Sequence, residues 1–520
     1  MTAADSLEPK RKKGVLDAVE KFGNALPDPV FIFIWLIGIL IVVSVAGAAL
    51  GWSAVHPVTG KTLTAESLLS EKNLTNLLVD MPRTLTNFPP LGLVLTVMLG
   101  AAIAERSGLF GAMMRASLRN APRAFLTPFV VFFGMCANHA SDAAYVVFIP
   151  LAGLIYASIG RHPIVGIAAA FAGVSGGFSG NIVPGQLDVL LLGITEPAAR
   201  IIDPTWTMNP LGNWWYILAM VVLFTPIAWF ITDRIIEPRL GPWTPDPDAP
   251  ISSEIENAAL TDAEKRGLGV AGLAALLVIG GFAALALWPG FTPLIDEEAK
   301  GPEQLTPFYR GLIAGFMLLF LATGWAYGAV AGTVKSHRDV VAMMGEGMRT
   351  MAPYLVIAFF AAHFVAMFNW SNLGPILAIH GAEELRALNM PAPALLVSVV
   401  AMSSGLDLFI GSASAKWSVM APVVVPMLML LGISPEMTTA AYRMGDSVTN
   451  IITPLMSYFP LILAFTQRWD KSFGLGSLMA TMLPYSMAFL AAGLLLTAGW
   501  VYLDVPVGPG APVSYTVPAP

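Results

Sequence analysis

Three charged residues lie in segments that are otherwise apolar or rich in glycine. Asp188 ends the stretch 173–188, whose five glycines and one proline prevent a continuous lipid-facing helix. Arg443 and Asp446 are three residues apart, on one face of a helix and within pairing reach. An unpaired charge at the bilayer centre costs about 2.5–3.5 kcal/mol, so we expect these side chains to bind a substrate, an ion or each other.

Oxygen-bearing groups beside these charges could hold a cation. In the first segment Asn181, Asp188 and freed backbone carbonyls are suitable ligands for Na⁺, which as a hard cation prefers oxygen. In the second segment Asp446 and Asn450 offer the same chemistry. A glycine-packed helix crossing in the first segment and a purely structural ion pair in the second are the alternative interpretations.

Two turns of small and polar residues are expected to meet these segments. Asn138 and Ser141 lie in the first turn, and Ser412 and Ser414 lie in the second. Small residues allow a tight turn whose backbone faces a ligand. We therefore expect the turns to add ligands for Na⁺ or for a substrate.

Three larger side chains lie near the second turn. Trp417 could stack on an aromatic ligand, and simple burial is an equal alternative. Lys416 and Asp407 are expected near the extracellular mouth, without an assigned role.

The composition indicates the scaffold that must position these residues. Of the 520 residues, 56% are hydrophobic and 12% are charged, whereas soluble domains carry about twice that charged fraction. We predict an all-α polytopic membrane protein, and no basic patch indicates nucleic-acid binding. Nine apolar segments are predicted to cross the bilayer: 30–51, 89–105, 163–199, 211–231, 267–288, 308–334, 352–370, 435–467 and 476–503.

Two other apolar segments, 124–159 and 393–431, break in the middle at small and polar residues. Each arm is short for a full crossing, so both are predicted to be re-entrant hairpins. The crossings 163–199 and 435–467 are predicted to be broken helices, since they contain the glycines, prolines and charges described above.

The loops predict the orientation. Most of the 28 Lys and Arg residues fall in loops on the side of the N-terminus. The positive-inside rule therefore places the N-terminus in the cytoplasm and the C-terminus in the periplasm, across a bacterial inner membrane.

The two halves of the chain read alike. Tyr145-Val-Val-Phe-Ile-Pro150 resembles Trp417-Ser-Val-Met-Ala-Pro422, and Asn181-Ile-Val-Pro184 resembles Asn450-Ile-Ile-Thr-Pro454. The predicted organisation is a first inverted repeat (1–236), a cytoplasmic linker (237–266), a connecting helix (267–288) and a second inverted repeat (289–520). Inverted repeats with broken helices are typical of secondary transporters.

At these motifs the chain resembles the p-aminobenzoyl-glutamate transporter family (AbgT) over nearly its whole length. The most specific stretches are Asn138-His-Ala-Ser-Asp-Ala-Ala-Tyr-Val-Val, Gly411-Ser-Ala-Ser-Ala-Lys-Trp and Tyr442-Arg-Met-Gly-Asp-Ser-Val-Thr-Asn-Ile-Ile-Thr-Pro-Leu. The resemblance implies a homodimer related to INDY-type transporters, with nine spans and two hairpins per subunit. It also implies either cation-coupled uptake of p-aminobenzoyl-glutamate or proton-driven export of sulfonamide antimetabolites.

The resemblance further implies roles for individual residues. Asn181 and Asn450 would lie near coupling cations, either Na⁺ or H⁺. Substrate and coupling roles would fall on Asp188, Ser414, Trp417, Arg443, Asp446 and Pro454.

Other classes of function are less well supported by the sequence. A membrane-embedded hydrolase could use Asp188 and Asp446 as paired carboxylates, and broken helices could also form a channel. The six histidines form no H-E-x-x-H motif, and no Gly-Lys-Ser/Thr follows a glycine-rich loop. We therefore expect a transporter of a small molecule rather than an enzyme, with no cofactor beyond the coupling ion.

Overall fold

A computed structural model describes residues 29–56, 60–119, 125–137, 144–243, 259–299, 304–453, 456 and 458–517 of the chain. These residues are mostly helical, with one small antiparallel pair of strands, β1 (Ser53–Val55) and β2 (Thr62–Thr64). This mostly helical structure confirms the all-α fold class predicted from the sequence.

Six predicted spans correspond to long apolar helices. They are α1 (Pro29–Leu50), α10 (Trp214–Ile231), α12 (Asp262–Leu287), α13 (Thr306–Ala331), α15 (Ala352–Trp370) and α21 (Leu475–Tyr502). Helix α12 begins inside the predicted linker, where Thr261 accepts a hydrogen bond from the backbone N–H of Glu264 and caps the helix.

The predicted span 89–105 is one arm of a bent pair. Helix α4 (Pro89–Arg106) is followed by α5 (Leu109–Arg119), and the two axes differ by 59°. The bend falls at Gly108, whose φ of 87° is a left-handed conformation that glycine adopts without strain.

The two predicted broken helices consist of shorter pieces. In the first, α8 (Pro163–Phe171) continues as a π-helical turn (Ala172–Gly176), and α9 (Gln186–Ala199) begins after a gap of irregular backbone. In the second, α19 (Pro435–Thr449) ends in a 3₁₀ turn (Asn450–Ile452), and α20 (Phe459–Gln467) follows.

The segments predicted to be hairpins each contain two helices. In the first, α6 (Leu126–Cys136) precedes a π-helical turn (Ala144–Phe148) and α7 (Ile149–Ser158), while the tip with Asn138 and Ser141 lies outside the described residues. In the second, α17 (Ala392–Asp407) and α18 (Ala413–Leu430) are joined by 408–412.

The nine predicted membrane crossings stay a prediction, because helix length and composition identify fewer candidates. Within the described ranges, seven helices are long and apolar enough to cross a bilayer, and the bent pair α4–α5 would make an eighth. Helix α18 is one of the seven, although it was predicted to be a short hairpin arm. The broken helices do not qualify, because their glycines and prolines divide them into shorter pieces.

The remaining helices are short or amphipathic. They are α2 (Glu71–Val79), α3 (Met81–Thr86), α11 (Glu237–Leu240), α14 (His337–Thr350) and α16 (Leu373–Ala387).

Helix α19 lies at the centre of the described structure. All 15 of its residues are buried, although they include Glu436, Arg443 and Asp446. It packs closely on α17, since a Cβ added at Gly445 would lie 2.3 Å from the Val400 carbonyl oxygen. A fully buried helix with charged side chains must supply partners for each charge.

Candidate functional site

A cavity of about 390 Å³ lies where the broken helices meet the second hairpin. Ligand sites for small molecules are usually concave spaces of about 300–1,000 Å³. Its polar lining includes Ser179, Asn181, Asp188, Ser414, Arg443 and Asn450. Its apolar and aromatic lining includes Val94, Val97, Met98, Tyr145, Phe178, Met351, Tyr354 and Tyr458.

Asp188 and Arg443 form a buried ion pair in this lining. Arg443 Nη1 lies 2.6 Å from Asp188 Oδ1, and their side chains are 2% and 7% exposed. Asp188 lies in the first turn of α9, and its Oδ2 accepts a hydrogen bond of 2.7 Å from the Gly185 backbone N–H. The positive end of the helix dipole also favours a carboxylate at this position.

The guanidinium of Arg443 is only partly satisfied. Nη2 lies 3.4 Å from the Ser179 carbonyl oxygen, and Nη1 lies 3.5 Å from Asn213 Oδ1. Within the described part of the chain, Nε has no hydrogen-bond partner. Buried donors are normally paired, so this side chain retains the capacity to bind an acceptor from a ligand.

Asp446 does not pair with Arg443, although their spacing on one helix face allows it. Its Oδ1 lies 2.6 Å from Lys416 Nζ, and Lys416 also contacts Asp407. The side chains of these three residues are 0–2% exposed. Lys416 and Asp407 therefore lie together in the protein interior, and their expected place near the extracellular mouth stays a prediction.

Hydroxyl groups complete the surroundings of this three-residue cluster, Asp407–Lys416–Asp446. Thr449 Oγ1 donates to Asp407 Oδ2 at 2.8 Å. The Tyr442 hydroxyl lies 3.2 Å from Asp446 Oδ1 and 2.5 Å from the Ala413 carbonyl oxygen. Two carboxylates share one ammonium, so the fully ionised cluster carries one excess negative charge.

Trp417 lies behind the cavity rather than in its lining. It is fully buried, its ring stacks on Tyr442 with centroids 4.3 Å apart, and its Nε1 donates to Thr195 Oγ1 at 2.8 Å. The residues lining the described cavity do not include it. In this conformation Trp417 joins the second hairpin to α9 and is not available to stack on a ligand.

The other residues predicted from the sequence have different positions. Ser414, Asn181 and Asn450 line the cavity, and the Asn181 Oδ1 accepts a hydrogen bond from the Ile182 N–H. Ser412 caps α18 through the Ala415 N–H. Asn138, Ser141 and Pro454 lie outside the described residues.

Three tyrosines in the lining were not predicted from the sequence. Tyr145 and Tyr458 stack with ring centroids 4.2 Å apart, and Tyr354 contributes from α15. No local pattern distinguishes these tyrosines from other aromatic residues in apolar segments, because their proximity depends on contacts between distant segments.

No site for a transition metal is found in the described ranges, since no three His, Cys, Asp or Glu side chains come together there. Na⁺ has a different set of ligands, since it also binds amides, hydroxyls and carbonyls.

Comparisons with known proteins agree on one family. The model of the AbgT transporter family matches residues 14–515. The p-aminobenzoyl-glutamate transport protein of Escherichia coli K12 is 35% identical over 492 residues, which is 95% of each chain. Two relatives with solved structures have a higher sequence identity to this chain.

The crystal structure of the YdaH transporter of Alcanivorax borkumensis is 41% identical, with a TM-score of 0.86 over 93% of this chain and 100% of that one. The structure of MtrF from Neisseria gonorrhoeae, described as illuminating a class of antimetabolite efflux pumps, is also 41% identical. Its TM-score is 0.89 over 96% of this chain and 100% of that one.

Proposed function

This chain belongs to the AbgT family of transporters, and we propose that it moves p-aminobenzoyl-glutamate or a related aromatic carboxylate by cation-coupled secondary transport. The observation that supports this substrate class most directly is the two-sided cavity. One part of its lining carries the Asp188–Arg443 pair, and another part is apolar and aromatic. An aryl compound with carboxylates matches both surfaces.

Arg443 would bind a carboxylate or a sulfonyl oxygen of the substrate. Its planar guanidinium presents five donors, suits bidentate binding of a carboxylate and remains charged when buried. Asp188 accepts from one of these donors and holds the side chain at the cavity, while Nε has no partner in the described residues. The substrate ring would lie against the aromatic and methionine side chains of the lining.

Coupling to Na⁺ or H⁺ is part of the proposal. Asn181 and Asn450 line the same cavity as the pair, so a Na⁺ ion there would bind next to the substrate. The cluster Asp407–Lys416–Asp446 lies behind the lining, and its excess negative charge would favour binding of a proton. Transport would involve movement of the hairpins and broken helices against a dimeric scaffold, in an elevator-like or rocking motion.

Export of sulfonamide antimetabolites is the second candidate. It is favoured by the similarity to MtrF, which covers 96% of this chain. A sulfonamide also combines an aromatic ring with oxygen acceptors, so the same cavity could serve either direction of transport.

The membrane arrangement proposed from the sequence completes this account. We propose a homodimer in a bacterial inner membrane, with the N-terminus in the cytoplasm and the C-terminus in the periplasm. The apolar side chains of α12 are largely exposed in a single subunit, as expected for a helix that faces lipid or a second copy. We further propose that the substrate leaves chemically unchanged, which product analysis after transport would test against the hydrolase alternative.

The experiment that tests the function uses purified protein in liposomes with radiolabelled p-aminobenzoyl-glutamate and imposed Na⁺ or pH gradients. Uptake driven by inward Na⁺ supports a Na⁺ symporter, and uptake driven by inward H⁺ supports a proton symporter. Movement of a sulfonamide against an opposing proton gradient, without uptake of the folate fragment, supports the exporter. Failure to transport either compound under any gradient would contradict the proposal.

Arg443→Gln provides the residue-level test in the same assay. Loss of a charge-assisted hydrogen bond should lower substrate affinity by about 10- to 100-fold. Arg386→Gln is a matched control, because Arg386 caps the Leu430 carbonyl oxygen at 2.7 Å and does not line the cavity.

A further inference from the structure

Glu436 is a buried carboxyl group that does not line the substrate cavity. It is 3% exposed and lies in the first turn of α19. Its own backbone N–H contacts the carboxylate, but Oε2 has no hydrogen-bond partner in the described part of the chain. A buried carboxylate with an unsatisfied oxygen is costly, and a proton on that oxygen would remove the buried charge.

Among the described residues, no positive charge compensates Glu436 from the elements around it. Glu196 on α9 adds a negative charge and is itself paired with Arg200. Loop 209–213 and the C-terminal segment 505–517 contain no Lys or Arg, and α21 contains no charged residue. Lys416 and Asp407 belong to the cluster with Asp446, which lies ten residues after Glu436 along α19.

Glu436 is connected to the Asp188–Arg443 pair through Asn213. The Asn213 Nδ2 donates to the Glu436 backbone carbonyl oxygen at 2.8 Å, and its Oδ1 lies 3.5 Å from Arg443 Nη1. Glu436 and Arg443 are seven residues apart on α19, which is about 10 Å along one face of a helix. A single amide side chain, that of Asn213, therefore bridges the Glu436 backbone and the Arg443 side chain.

A second, very small cavity lies beside the Asp188–Arg443 pair, and Glu436 is not part of its lining. Its volume of about 10 Å³ is close to the space that one water molecule occupies. It is lined by Asp188 and Arg443, by Thr439 one turn before Arg443, and by Gly212 and Asn213. Gly212 contacts Glu436, since a Cβ added there would lie 3.1 Å from Glu436 Cγ.

The C-terminal segment 505–517 covers the start of α19. The Ser434 N–H donates to the Val513 carbonyl oxygen at 2.9 Å, and Ser434 Oγ donates to that of Pro512 at 2.6 Å. Asn209 Nδ2 donates to the Pro509 carbonyl oxygen at 2.9 Å. This cover separates Glu436 from bulk water, and opening it would allow exchange with the outside.

We propose that Glu436 is a proton-binding site of the transport cycle, linked to the substrate-binding Arg443 by Asn213, which contacts the Glu436 backbone and the Arg443 guanidinium. The carboxyl holds a proton in the conformation described here and releases it to water when the cover over α19 opens. The proton leaves from the carboxyl oxygen to water, and an ionised Glu436 remains on the face of α19 that also carries Arg443. This inference deepens the proposed cation-coupled transport and rests on it.

Two measurements on the purified full-length protein test the proposal separately from transport. The first is infrared difference spectroscopy in lipid between acidic and alkaline pH, which detects the C=O band of a protonated carboxyl. Wild type should show a band that is absent in Glu436→Gln and present in Glu196→Gln, the control that removes the neighbouring carboxylate. An unchanged band in Glu436→Gln would overturn the proposal, even if transport is established.

The second measurement records proton exchange with a pH-sensitive dye when p-aminobenzoyl-glutamate is added to weakly buffered protein. Wild type and Glu196→Gln should exchange about one proton per bound substrate, as expected for one titrating carboxyl. Glu436→Gln should bind substrate without proton exchange, and Glu436→Asp should restore part of it. Proton exchange by Glu436→Gln equal to that of wild type would overturn the proposal. Absence of substrate binding by wild type would contradict the proposed function instead, and the infrared band would still decide the state of Glu436.

Discussion

Replacing Lys416 with Met should strongly destabilise the fold, since it leaves two buried carboxylates without their shared cation. Lys416 Nζ lies 2.6 Å from Asp446 and also contacts Asp407, and all three side chains are at most 2% exposed. Removing one partner of a buried ion pair typically costs about 3–5 kcal/mol. The hydroxyls of Thr449 and Tyr442 remain, but neither carries a charge. We therefore expect a loss of about 3–5 kcal/mol in the free energy of unfolding.

The assay is reversible detergent-induced unfolding of the purified protein in mixed micelles. The triple variant Lys416→Met/Asp407→Asn/Asp446→Asn should regain most of the lost stability, because neutral groups of similar size carry no desolvation penalty for charge. Lys265→Met is the matched control, since Lys265 forms an exposed pair with Asp262 and its loss should leave stability unchanged. Unchanged stability in Lys416→Met, or a triple variant no more stable than the single one, would refute the reasoning.

Three further predictions concern single side chains. Gly445→Ala should destabilise the protein by about 1–3 kcal/mol, because the new Cβ would lie 2.3 Å from the Val400 carbonyl oxygen. A thermal unfolding transition unchanged from that of wild type would contradict this. Trp417→Phe removes the hydrogen bond to Thr195 and should lower the free energy of unfolding by about 0.5–1.5 kcal/mol. Substrate affinity should stay within about twofold of wild type. A large loss of affinity would instead place the ring at the substrate. Asp188→Asn should abolish uptake in liposomes while the protein remains folded and monodisperse, and normal uptake would exclude Asp188 from the mechanism.

Much of the architecture could be predicted from the sequence, because the bilayer imposes strong local constraints. Long apolar runs such as 30–51 and 476–503 form single helices, as their length and composition require. The interruptions near Asn181 and Asn450 fall where glycine and proline remove regular hydrogen bonds. The inverted relation of the two halves stays a prediction.

The pairing of charges could not be predicted, because it depends on how distant segments pack. Arg443 and Asp446 are close along α19, yet each binds a partner from another segment: Asp188 for Arg443, and Lys416 for Asp446. Local spacing gives only the set of contacts that one helix permits. The position of Trp417 behind the cavity has the same origin, since Tyr442 and Thr195 come from α19 and α9.

The lining of the cavity could also be predicted only in part from the sequence. Its polar lining was largely predicted, because polar residues in apolar segments are conspicuous. The aromatic residues that oppose them, such as Tyr354 and Tyr458, are ordinary members of apolar sequence and become recognisable only when the segments are assembled.

The most direct test of the central claim is a binding measurement by calorimetry on wild type and Arg443→Gln. The ligands are p-aminobenzoyl-glutamate and its diamide, which lacks both carboxylates. Wild type should bind the acid at least tenfold more tightly than the diamide, and Arg443→Gln should abolish that difference because the charge-assisted hydrogen bond is gone. Equal preference for the acid in both proteins would show that Arg443 does not bind the substrate carboxylate and would contradict the account.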